Sequence, residues 1–236
     1  HQRMTLTTKG KKHDTFPHQL ILTATPIPRT LAMSLYGNLE YSAINEMPKG
    51  RQDIDTIAIS EDRRSEVLEK ISSKCKDGSQ VYWVCPLINE SEVLECKAAT
   101  NTYEELQSKL KNINIGLIHG RMNMAEKEEV MSNFRNKKID VLVSTTIIEV
   151  GLDVPNATVI IIENSERMGL SQLHQLRGRV GRGNKKSSCI LIFKSGLSEL
   201  ARKRIDILRN CSNGFDIARE DLDLRGPGEI LGKKQK

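Results

Sequence analysis

Ile115-Gly-Leu-Ile118, Met124-Ala-Glu-Lys-Glu-Glu-Val-Met-Ser-Asn-Phe134 and Asp140-Val-Leu-Val-Ser144 decide the fold. A short apolar run, a stretch with apolar residues at helical spacing and a second short apolar run read as strand, helix and strand. Two strands joined through a helix pair in parallel, and such a sheet needs helices over both faces.

The same rhythm extends outward in both directions. On the N-terminal side, Ile54 to Ile59 reads as a strand and Arg63 to Lys76 as a helix with Val67, Leu68 and Ile71 on one face, followed by a strand from Gln80 to Cys85. Glu90 to Thr100 breaks the rhythm and reads as an insertion, with a helix near Tyr103 to Leu110 behind it. On the C-terminal side come strand Thr158 to Glu163, helix Ser171 to Leu176, strand Ser188 to Phe193 and helix Leu197 to Asn210. The class is α/β, a parallel sheet with helices on both faces, and no repeat of fixed period is present.

Composition bounds the function. The 236 residues include 36 Lys plus Arg against 30 Asp plus Glu, a formal charge of +6, and 38% are hydrophobic. That is apolar enough for a buried core and excludes a disordered chain. No apolar run approaches the roughly 18 residues of a membrane span, and residues 1–20 lack the apolar centre of a secretory signal, so a cytoplasmic protein without a membrane partner is expected. The five cysteines are odd in number and never closer than ten residues, which suits reduced thiols and excludes a compact zinc knuckle. No metal site is expected. Aromatics at 4% leave few rings for stacking bases, so a basic chain of this kind is suited to a phosphate backbone.

The ends depart from the rhythm. Leu20-Ile21-Leu22 reads as a buried strand running into Thr23-Ala-Thr-Pro26, and Pro28 opens a helical stretch to Tyr36. Residues 45–53 combine proline, glycine and charges, a linker composition that places a domain boundary there. The chain opens on His1, which reads as a piece of something longer, and residues 211–236 read by default as a solvated tail.

Three constellations carry chemistry. The sharpest is Gln175-Leu-Arg-Gly-Arg-Val-Gly-Arg182, within a stretch from Arg167 to Lys186 that has six basic residues and no acidic one. Arginine's planar fork suits phosphate oxygens, and the interleaved glycines let the backbone approach a partner. Arg179 and Arg182, three apart, are expected on one side of a single helical turn, as an arginine-finger pair aimed at a polyphosphate. The second is Ser144-Thr-Thr-Ile-Ile-Glu-Val-Gly-Leu-Asp-Val-Pro155. Its hydroxyls would stand at the carboxyl end of a buried strand, where open α/β sheets bind ligands, and Gly151 and Asp153 would approach a ribose hydroxyl. The third, Thr23 to Thr30, is chemically only a strand–turn–helix entry, and His119-Gly120 alone reads as a turn. Tyr82 and Trp83 are expected in the core. No Gly-x-x-x-x-Gly-Lys-[Ser/Thr] loop occurs, so the chain carries arginine fingers without the pocket that they serve.

In this order and spacing the constellations resemble superfamily 2 helicases. Thr23-Ala-Thr-Pro26 resembles motif III, Val81 to Ile88 motif IV, Ser144 to Pro155 motif V and Gln175 to Arg182 motif VI. More narrowly, Thr23 to Ala32, Cys85-Pro-Leu-Ile-Asn-Glu-Ser-Glu92 and Gly214 to Glu229 resemble the RecG family of branched-DNA translocases, and the last also resembles the translocation motif of transcription-repair coupling factors. The resemblance implies a RecA-like helicase C-terminal domain plus a helical-hairpin translocation motif. Residues 1–50 would be the remnant of a first RecA-like domain, 51–196 the second, and 197–236 the hairpin and its loop.

It also implies roles. ATP with Mg would lie between two RecA-like domains, held mainly by the first, with Gln175, Arg179 and Arg182 facing it and Gly151 and Asp153 nearby. Thr145, Thr146, His119 and Gly120 would approach the DNA backbone, and Thr23 and Thr25 would couple the two events. Arg204, Arg225 and Gln235 would link domain closure to movement along DNA. Branched double-stranded DNA is the implied partner, together with a first RecA-like domain and a wedge domain, in the bacterial cytoplasm at the nucleoid. The motor of a coupling factor and a non-catalytic nucleic-acid binding module are the rival readings.

Overall fold

A computed structural model describes residues 53–86, 92–146 and 154–225, with positions 20, 22, 42 and 44 besides. Six strands form one sheet: β1 (Ile54–Ser60), β2 (Gln80–Val84), β3 (Ile115–Ile118), β4 (Val141–Ser144), β5 (Ala157–Ile162) and β6 (Ser187–Phe193). All pairings are parallel and the order is β1-β6-β5-β2-β4-β3. Every strand therefore ends at the same edge, which brings Cys85, His119, Thr145 and Glu163 to one side of the sheet and the helix-to-strand turns to the other.

The helices are α1 (Arg64–Lys76), α2 (Glu92–Lys109), α3 (Met124–Arg135), α4 (Leu170–Arg177), α5 (Glu199–Asn210) and α6 (Gly214–Arg225). Strand residues alternate between two cores, as a pleat requires. Val81, Trp83, Val143 and Ile161 face Val67 and Ile71 of α1 and Ala99 and Leu106 of α2. Tyr82, Leu142, Ile160 and Leu191 face Phe134 of α3, Leu173 of α4, Leu208 of α5 and Ile217 of α6. Tyr82 and Trp83 are fully buried, as expected, and the Tyr82 ring packs on Phe134 with centroids 5.0 Å apart.

Local chemistry sets the helix starts. Asn123 accepts from the Glu126 amide while the Glu126 carboxylate accepts from the Asn123 amide, both at 2.9 Å, a reciprocal cap for α3. Ser198 Oγ accepts from the Ala201 amide at the start of α5, whose Ala201, Ile205 and Leu208 supply the buried stripe.

Three expectations change. Residues 92–109 form one continuous helix rather than an insertion followed by a short helix. Its buried stripe uses Cys96, Ala99 and Leu106, and the small residues among them carry little apolar signal. Leu20 and Leu22 are 82% and 80% exposed, not buried, because no strand among the described residues pairs with them. The expected solvated tail is helical from Gly214 to Arg225, with Ile217 fully buried, and this helix contacts α4 and α5. The linker at 45–52, the stretch 226–236 and the helical stretch after Pro28 lie outside the described residues.

Candidate functional site

The turn after α4 differs from the expected helical turn. The helix stops at Arg177 with Gly178 as its cap, the Arg179 amide donates to the Leu176 carbonyl at 2.9 Å, and Gly181 takes φ +76°. A positive φ between Arg179 and Arg182 ends helical geometry, so the two do not share one helical face. Val180 is fully buried between them and anchors the turn. Arg179 and Gln175 are half-buried and Arg182 is exposed, its Nε donating to the Gly178 carbonyl at 3.4 Å.

The turn is also pinned at its far side. A Cβ at Gly183 would sit 2.8 Å from the Pro155 carbonyl oxygen, so only glycine lets the two backbones approach this closely. Pro155 closes the second constellation and stands two residues before β5. The end of one constellation thus rests on the end of another, at the edge of the sheet where strands begin.

Arg177 has a different task from its two neighbours. It is 5% exposed, and its Nη1 donates to the carbonyls of Leu208 and Cys211 at 2.6 and 2.8 Å. The last turn of α5 has carbonyls without helical partners, and a buried cation there satisfies them and suits the negative end of the helix dipole. Arg204, on α5, reaches back: its Nη1 donates to the Met168 carbonyl at 2.7 Å and its Nη2 to Glu166 at 3.3 Å. Ser171 of α4 donates to Asp221 of α6 at 2.8 Å. The arginine-bearing segment and the two C-terminal helices are joined at three points.

The opposite edge holds hydroxyls and a histidine. Ile118 pairs with Ser144 in register, and the Thr145 amide donates to the Ile118 carbonyl at 3.3 Å, so His119 and Thr145 follow side by side. Ser144 Oγ, Thr145 Oγ1 and His119 Nδ1 are buried atoms without a hydrogen-bond partner among the described residues. Thr146 is half-buried beside them. The Gly120 carbonyl accepts from Lys127 Nζ at 2.7 Å, which fixes the turn after His119. Buried hydroxyls without partners are uncommon and suit a site that a phosphate or another polar ligand completes. Gly151, Asp153, Thr23, Thr25 and Gln235 lie outside the described residues, and of Arg225 only its place at the end of α6 is described.

A polar cleft of about 160 Å³ on the α1–α2 side of that edge carries no signal as a motif. Glu163 accepts from Trp83 Nε1 at 2.9 Å and from Arg64 Nη2 at 2.7 Å, while Arg64 also pairs with Glu105 and lies 5.1 Å over the Trp83 ring. Burial pulls the Arg64 guanidinium down, but its bonds to Glu105 and Glu163 outweigh this and hold it above its ordinary value. Burial pushes Glu105 up, and Arg64 and Lys109 together hold it below the ordinary carboxylate range. Arg64 and Glu163 lie 99 positions apart, so only the sheet order brings them together.

The helicase conserved C-terminal domain matches residues 62–184. The chain is 56% identical over 236 residues to the ATP-dependent DNA helicase RecG of Pasteurella multocida, covering 100% of this chain and 34% of that protein. It is 53% identical over the same length to RecG of Escherichia coli K12, again covering 34% of it. The chain therefore spans about a third of the length of the curated relatives that it matches. Among solved structures, RecG bound to a three-way DNA junction aligns with TM-score 0.77 and 44% identity, covering 91% of this chain and 28% of that one. Yeast Dbp5 bound to RNA and ADP BeF3, at 15% identity and TM-score 0.59, covers 92% of this chain and 56% of that one, and shares the fold. Parallel sheet, two helical layers and the 62–184 match agree: the chain belongs to the family of the helicase conserved C-terminal domain.

Proposed function

We propose that this chain is the C-terminal motor lobe of an ATP-dependent helicase that remodels branched double-stranded DNA in the bacterial cytoplasm, at the nucleoid. The observation that carries the reading is identity of 56% to a RecG helicase along all 236 residues, including both C-terminal helices. That breadth favours a branched-DNA motor over the motor of a coupling factor.

Two surfaces divide the work. Arg179 and Arg182, with Gln175 on the preceding helix, face a nucleotide held between this lobe and a first RecA-like lobe, which holds most of the Mg and the phosphates. Two guanidinium groups on a turn fixed by Val180 and Gly183 suit the charge of a triphosphate. Gly151 and Asp153 approach the ribose. ATP supplies a bond whose hydrolysis lets the closed cleft reopen. At the other edge Thr145, Thr146, His119 and Gly120 hold the DNA backbone, a role that the unpartnered buried Thr145 Oγ1 and His119 Nδ1 support. Thr23 and Thr25 couple the surfaces, and Arg204, Arg225 and Gln235 pass closure to the DNA. For Arg204, its bonds to the turn ahead of α4 support such a link.

Unwinding of a labelled three-way junction by the whole protein tests the reading. ATP-dependent unwinding is expected, with no hydrolysis by the isolated chain. Hydrolysis by the isolated chain, or a whole protein indifferent to branching, would overturn it.

A further inference from the structure

We infer that the edge of the sheet where β2, β4 and β3 begin is a second docking surface for the phosphate backbone of duplex DNA, opposite the Thr145 edge and on the same edge as the Arg179–Arg182 turn but formed by other strands. Six cations stand there: Lys74 and Lys76 ahead of β2, Arg135, Lys137 and Lys138 ahead of β4, and Lys111 ahead of β3. All six are exposed and none is in a salt bridge among the described residues.

Hydrogen bonds lace the three turns together. The Asp140 amide donates to the Asn114 carbonyl at 2.7 Å, and Asp140 Oδ2 accepts from the Asn114 amide at 2.9 Å. Gln80 Nε2 donates to the Phe134 and Ile139 carbonyls at 2.6 and 2.7 Å. Adjacent strands lie about 4.8 Å apart, so the rim is roughly 10 Å wide across its three strand starts, the length of about three base-pair rises along the DNA axis at ~3.4 Å each. The acids on these turns are Asp77 and Asp140, and Asp140 is already engaged with Asn114.

Helix dipoles account for Lys74, Lys76 and Arg135 in last turns, but not for Lys111, Lys137 and Lys138 beyond the helix ends. Lys137 is the informative one. Its φ is +58°, in the left-handed region, where its amide donates to the Phe134 carbonyl and closes the end of α3. The neighbouring turns meet the same geometry with Gly78 at φ +76° and Asn112 at φ +67°, residues that this region favours. A lysine is held there against its conformational preference, which places a cation at the centre of the rim.

The chemistry of the rim selects the partner. Residues 74–79, 109–114 and 135–140 contain no aromatic residue, and Cys75 and Leu110 are buried. Protein interfaces favour aromatic anchors and disfavour lysine, and base stacking needs rings, so a phosphate backbone is the fitting partner. The choice of DNA over other polyanions rests on the motor reading above.

Fluorescence anisotropy of this 236-residue chain on a 30-base-pair duplex across a salt series tests the inference. Lys137→Glu with Lys138→Glu should weaken binding about tenfold and flatten the slope of log K against log salt by about 1.8, two phosphate contacts at 0.9 each. Lys137→Gly should melt no lower than wild type yet bind more weakly, with the slope reduced by about 0.9. Unchanged affinity and slope in both variants, or no salt-dependent binding by the wild type, would overturn the docking surface. Equal competition by polyglutamate would also overturn it, in favour of an acidic protein partner. These outcomes are independent of junction unwinding, which tests the motor reading.

Discussion

Arg177 Nη1 donates to the Leu208 carbonyl at 2.6 Å, across 31 positions of sequence, and so binds the helix that leads into the arginine turn to the last turn of α5. A cation two residues ahead of the arginines proposed for the nucleotide, Arg179 and Arg182, therefore holds the scaffold that presents them. Arg177→Ala should destabilise the chain by about 2–4 kcal/mol, since buried carbonyls lose a charged donor. Arg177→Lys should recover only part of this, because one ammonium cannot also replace Nη2, which meets His174 Nδ1 and the Ser212 carbonyl. Urea midpoints measure both, and an alanine variant as stable as wild type would contradict the scaffold role.

Gly183→Ala should be destabilising by about 1–3 kcal/mol, because the added methyl meets the Pro155 backbone oxygen at 2.8 Å and backbone must move. Gly116→Ala is the comparison, since its contact at 2.6 Å is Cδ1 of Ile139, the end of a side chain that can turn away. Thermal melts should rank Gly183→Ala below Gly116→Ala, and the reverse order would contradict the pinned turn.

The Glu105 pairing makes a pH-dependent contribution of known sign. Its folded value lies below the ordinary 4.5, so the stabilisation is complete above that pH and is lost as pH falls through the folded value. The difference in urea midpoint between wild type and Glu105→Gln should be largest at neutral pH and should shrink below pH ~4.5. A difference independent of pH would contradict the pairing with Arg64 and Lys109.

Thiol chemistry reports on packing. Burial pushes Cys75 and Cys189 from 9.0 up to about 12, and Cys85 and Cys96 are also buried, while Cys211 is half-buried. Titration with a thiol reagent at pH 8 should find one reactive cysteine in the folded chain, and five after denaturation. Rapid reaction of Cys189 in the folded chain would contradict the core.

The strand–helix alternation was legible because short apolar runs mark the strands, and the observed bounds differ from the reading by one residue at most at either end of each of the six strands. The insertion at 90–100 was misread because Cys96 and Ala99 bury little area and mimic a loop. The arginine turn was misread at Gly181, whose φ of +76° ends the helical geometry, and the Val180 burial and Gly183–Pro155 contact that accompany it are tertiary features that a local pattern does not carry. The Arg64–Glu105–Glu163 cluster had no motif, since its members come from three separated elements. The roles of Arg177 and Arg204 also depend on helix packing across some thirty positions.

DNA-stimulated ATP hydrolysis by the whole protein carrying Arg179→Ala or Arg182→Ala tests the central claim most directly. Arginine fingers contribute on the order of 10³–10⁵ in rate, so each variant should lose nearly all turnover while its melting temperature and DNA affinity stay close to wild type. Near-normal hydrolysis in either variant would contradict the assignment of that turn to the nucleotide.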